Sequence, residues 1–136
     1  MARSEQAARA AARAAAGGRP LEPLLVTRLD GGPAYYLVPV ASAEGVDAIV
    51  QVDEHGTVEA VSRLSAPRPL DELFLSAEAA RAAAPAGYEP TRLVWSPVRE
   101  STSPARPFHL LNGPGPDLFI DMSGRVLAKL TPLGKG

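Results

Sequence analysis

The chain has 136 residues, with fourteen basic and fifteen acidic side chains and a formal net charge of −1. That balance excludes a nucleic-acid or anionic-membrane partner gripped by bulk charge. The absence of cysteine excludes disulfides, thiol catalysis and thiolate metal sites. No apolar run approaches a membrane span, so no membrane insertion is expected. The length suits one domain with a real core. The N-terminal arginines lack an apolar run to follow them, so this is not a secretory signal as written. A native start at Met1 implies a cytoplasmic protein, and a trimmed signal an extracytoplasmic one.

Residues 4–16, SEQAARAAARAAA, read as a helix. Ser4 is the expected N-cap, Glu5 suits the positive end, and Glu5 with Arg9 is spaced for an i,i+4 pair. Gly17-Gly18 stops it. Alanine favours helix but has little area to bury, so this helix is expected to lie close on a sheet. An Arg-rich surface for a partner is the functional alternative.

Residues 23–28 (PLLVTR) read as a strand and Asp30-Gly31-Gly32-Pro33 as a turn. From Tyr35 to Val40 the alternation puts Tyr36, Val38 and Val40 on one face of a strand and Tyr35 and Leu37 on the other. Pro39 cannot donate to a ladder, so it belongs at a strand end, a bulge or an unpaired edge. A polar loop, 41–46, leads to DAIVQVDEHGTVEAVSRL (Asp47–Leu64). There Asp53-Glu54-His55-Gly56 separates two apolar runs. Gly56 can take positive φ and Asp53 can accept from backbone N–H groups, so a hairpin is expected. Residues 65–71, with Pro67 and Pro69, read as a linker. Ser76 caps a second Ala-rich helix, roughly 77–84. Arg92–Trp95 and Phe108–Leu111 read as strands, and a second hairpin covers about 118–130.

The order repeats. Ala7–Ala11 corresponds to Ala79–Ala83, Leu25–Thr27 to Val94–Ser96, Tyr36–Val38 to Phe108–Leu110, and Gly56 to Gly124. Both halves end in Asp-x-x-Gly-x-Val, with Asp53 and Asp121 in equivalent turns. The fold expected is therefore α+β. Two helix-β-β-β units, 4–64 and 72–131, each carry an antiparallel meander with its helix on one face, within a single domain 1–136.

A helix followed by such a meander and closed by VDEHGTV in one copy and IDMSGRV in the other resembles the PepSY domain. The resemblance spans nearly the whole chain as two copies. It implies a non-catalytic module with binding or inhibitory roles, found in propeptides of secreted peptidases or beside membrane proteins. A peptidase or an envelope protein is then the implied partner.

No catalytic or metal constellation emerges from the residues. His55 lies in a turn and His109 in a strand, and no ligand pair has metal-binding spacing. No Gly-x-Ser-x-Gly elbow is present, and Gly31-Gly32 and Gly113-Pro114-Gly115 lack the strand-glycine-helix context of a phosphate cradle. No cofactor is expected. The exception is Ser96–Pro107, SPVRESTSPARP, a longer polar loop where the first copy has the Asp30–Pro33 turn. Its prolines lower the ordering cost of binding, while Arg99, Arg106 and Trp95 are residue types enriched at hot spots. These three are the expected partner-binding residues, Trp95 on condition that its ring is exposed. The reading that follows is a non-enzymatic protein-binding or inhibitory module. A small-ligand binder or small enzyme on the concave sheet face is one alternative. An oligomer, a homodimer included, joined through exposed strand edges is the other.

Overall fold

In the computed structural model residues 3–133 are described, and the expectation attached to Met1 falls outside them. The chain is α+β, rich in antiparallel strands and with few helices. It divides into two compact units, residues 1–26 with 32–72, and 27–31 with 73–136. Among the described residues no helix is long and apolar enough to cross a membrane.

The first unit opens with α1 (Arg3–Ala16), β1 (Arg19–Pro20) and β2 (Leu24–Arg28), whose last two residues already belong to the second unit. It continues with β3 (Tyr35–Ser42), β4 (Gly45–Asp53) and β5 (Val58–Arg68). β3 pairs with β4 along one edge, and β4 pairs in turn with β5. The other edge of β3 is shared, taking β2 at its start and β1 at its end. Alternation along β3 and β4 turns Tyr36, Val38, Val40, Ala48, Val50 and Val52 to one face, against Ala8 and Ala12 of α1. Both alanines are fully buried, as the spacing in the sequence requires. Tyr35, Leu37 and Ile49, on the opposite face, are buried as well.

Three expectations are corrected here. Ser4 does not cap α1, which begins one residue earlier; its hydroxyl instead pairs with the Tyr36 hydroxyl at 2.7 Å. A buried tyrosine needs a partner for its O–H, and that need outweighs the local cap. Among the described residues the Arg9 side chain forms neither an ion pair with Glu5 nor a hydrogen bond. Residues 65–68 are not linker, because β5 continues through them to Arg68, opposite Val46. The partner strand advances only from Ala48 to Val46 while β5 advances from Arg63 to Arg68. Leu64–Pro67 therefore bulge, and that irregularity accommodates Pro67 in an edge strand.

Pro39 sits well inside β3, yet it costs the ladder nothing. Its carbonyl accepts from Leu21 N–H at 2.8 Å, so its ring nitrogen faces the same side. On that side β1 has ended at Pro20 and β2 has not begun until Leu24. The proline occupies the gap between two neighbours.

The second unit holds the short α2 (Leu70–Leu73) in part, then α3 (Ala77–Ala83), β6 (Glu89–Trp95), β7 (Phe108–Asn112), β8 (Leu118–Ile120) and β9 (Val126–Leu127). The four strands form an antiparallel meander. Ser76 caps α3 as expected, its Oγ accepting from Ala79 N–H at 3.1 Å. Ala80 of α3 packs on Leu111 and Ile120. The Tyr88 ring lies so close to Gly113 that a Cβ there would fall 2.6 Å from it. Its hydroxyl donates to Pro116 O and accepts from Gly115 N–H, so the glycine-proline run is a turn clasped by one tyrosine.

Ala8 and Ala12 set how near α1 lies to β3 and β4. Ala8→Leu adds volume where none is free and should destabilise the chain by about 1–3 kcal/mol in urea unfolding. At the exposed Ala14 the same change should be nearly neutral.

Candidate functional site

The loop 96–107 is an ordered structure rather than a slack insertion. At its base Trp95 is 4% exposed, which corrects the expectation that its ring contacts a partner. The indole is enclosed, with the Arg28 guanidinium 5.1 Å from its ring centroid. A buried indole N–H must donate, and here Trp95 Nε1 donates to Ser101 O at 3.1 Å. Trp95 is thus the post that fixes the loop. Ser101 Oγ donates to Arg106 O at 2.8 Å and closes it across its mouth. Arg106 N–H returns to Ser103 O.

The loop is also tied to the C-terminal segment. Thr131 N–H and Oγ1–H donate to the two carboxylate oxygens of Glu100 at 2.7 and 2.9 Å. Arg99 N–H donates to Thr131 O at 2.9 Å. The Thr131 N–H holds the Glu100 carboxyl below its usual range, against the opposing effect of burial. Glu100 is the residue that sequence reasoning missed. Its partner is remote in the chain, and no local pattern announces it. With the backbone held this way, Arg99 and Arg106 are both exposed and are brought onto one loop. Buried Trp95 supports them from below.

The structural turns Asp53–Gly56 and Asp121–Gly124 have the same bonding. Asp53 Oδ1 accepts from His55 and Thr57 N–H at 2.8 and 2.9 Å. Asp121 Oδ1 accepts from Ser123 and Arg125 N–H at 3.0 and 2.9 Å. In each, the Asp N–H donates across the turn, to Thr57 O or Arg125 O, and the Asp carbonyl accepts from the glycine N–H. Gly56 and Gly124 have φ of 90° and 93°, a region open to glycine at little cost.

Both carboxyls titrate below the usual range. For Asp53 the main cause is the Thr57 N–H, outweighing burial. For Asp121 burial pushes upward but is overcome by the Arg125 N–H and the hydroxyl and N–H of Ser123. His55 is exposed in its turn. His109 is buried, its Nε2–H donating to Leu75 O at 2.6 Å, and burial lowers its pKa. That bond joins β7 to the segment before α3. Among the described residues no group of three or more His, Asp or Glu could hold a metal ion.

Gly56→Ala and Gly124→Ala should each cost about 1 kcal/mol from positive φ alone. Gly56→Ala should cost more, because its Cβ would lie 3.3 Å from Ala7 Cβ, whereas nothing approaches a Cβ at Gly124 within 4 Å. Urea unfolding of the two variants measures the difference.

A second outcome concerns acid. Carboxyl pKa values lowered in the folded state give stability that is present above the unfolded value of 3.8 and is lost as pH falls through the folded values. Asp53→Asn with Asp121→Asn keeps the Oδ1 acceptors but removes the titration. Its stability should fall less steeply below about pH 5 than that of the parent chain.

No family model, curated protein or solved structure matches the chain. The reading of the site therefore rests on its own geometry.

Proposed function

We propose that the chain is a non-enzymatic protein-binding or inhibitory module, built of two PepSY-like units at residues 4–64 and 72–131. The observation that carries the reading is the loop Ser96–Pro107. It is held by Trp95, Ser101 and Glu100 and presents Arg99 and Arg106 to solvent. A loop already ordered loses little entropy on binding, and two guanidinium forks suit carboxylates on a partner. The tandem reading draws support from the matching bonds of the Asp53 and Asp121 turns and from a helix preceding the strands in each unit. A peptidase or envelope protein as partner comes from the PepSY resemblance.

Edge pairing between copies has the exposed β5 in its favour. The Leu64–Pro67 bulge interrupts that edge, however, a device that commonly blocks such pairing.

The test leaves the scaffold of the loop intact. Arg99→Glu with Arg106→Glu alters two exposed side chains and should shift Tm by no more than about 2 °C. In affinity capture from the native organism, the parent chain should retain a peptidase or an envelope protein, and the double variant should lose it. Equal retention by both would remove the loop from the binding surface.

A further inference from the structure

We propose that Arg9, Arg13 and Arg19 form a binding site for the phosphate-monoester group of a small molecule. Arg9 and Arg13 are one turn apart on α1 and so share a face. Arg19 opens β1. With Ala10 and Pro20 they line an open depression of about 350 Å³ that no acidic side chain enters.

Two features of this place are unfavourable as they stand. Like charges one helical turn apart repel. Arg9 Nε is also shut off from solvent without a hydrogen-bond partner, a condition that proteins rarely leave unmet. Elsewhere Arg28, Arg68, Arg81 and Arg125 each reach a carboxylate. The side chains of Arg9, Arg13 and Arg19 make no hydrogen bond or ion pair among the described residues. The negative end of α1 favours Arg13 in its last turn, but this accounts for one cation of three.

An anion in the depression answers the repulsion, because the three guanidinium groups line it. A guanidinium carries donors only, and a carboxylate offers one negative charge and two acceptor oxygens. A phosphate monoester brings close to two negative charges and three acceptor oxygens, which suits three forks. The depression has more room than a phosphate fills, and its remaining wall, from Ala10 and Pro20, is small and apolar. That leaves space for a carrier of about sugar size.

The experiment is an amide NMR titration of the full chain with glucose 6-phosphate, against glucose and against sodium chloride at matched ionic strength. Saturable shifts confined to residues 7–20 are expected with glucose 6-phosphate alone. Arg9→Gln and Arg13→Gln should each weaken binding at least about tenfold, the scale of one lost charge-assisted bond. Ala10→Glu, at an exposed position, puts a carboxylate into the depression and should abolish binding. Gln and Glu are good helix formers, so α1 survives all three changes. Arg92→Gln, exposed on β6, should bind as the parent does. Shifts reproduced by chloride, or full affinity in Arg9→Gln, would overturn the site. Inorganic phosphate binding as tightly as glucose 6-phosphate would overturn the small-molecule assignment.

Discussion

The first unit depends on how closely a helix can approach two strands. Ala8 and Ala12 present only methyl groups to the valines of β3 and β4, so the backbone of α1 comes nearer than larger residues would permit. Gly18 continues the constraint, since a Cβ there would fall 2.7 Å from Val40 Cγ1. Close approach compensates for small side chains, because dispersion and exclusion of water both depend on contact rather than on residue size. It also fixes the rotation of α1 about its axis. With Ala8 and Ala12 inward, Arg9 and Arg13 stand beside β1 at the margin of the packed face.

The two Asp-x-x-Gly turns solve a different problem. A hairpin turn leaves backbone N–H groups that no strand can satisfy, and one carboxylate oxygen takes two of them. The charge of the aspartate is used locally, which is why its pKa falls and why nothing further need be asked of it. A motif that repeats in sequence is here explained by local bonding. The loop after Trp95 is held differently.

In that loop, order comes from partners distant in sequence. Trp95 is the only tryptophan, and burying it commits its N–H to Ser101. Ser101 and Glu100 then spend their polar atoms on the loop and on Thr131. Arg99 and Arg106 are among the side chains left to solvent. Side chains used inward support the loop.

Local patterns in the sequence determined much of the architecture. The alternation of Tyr36, Val38 and Val40, the Ser76 cap and the two glycine turns all follow from neighbours within a few residues, where steric and hydrogen-bonding rules are strict. Tertiary structure alone decided the rest. Ser4 gave up its cap for the Tyr36 hydroxyl, Pro39 was accommodated by a gap between β1 and β2, and Pro67 was carried in a bulge. The burial of Trp95, the Glu100–Thr131 tie and the convergence of Arg19 with Arg9 and Arg13 were equally beyond local reading. Each depends on which segments meet across long stretches of chain, and composition and periodicity carry no record of such meetings.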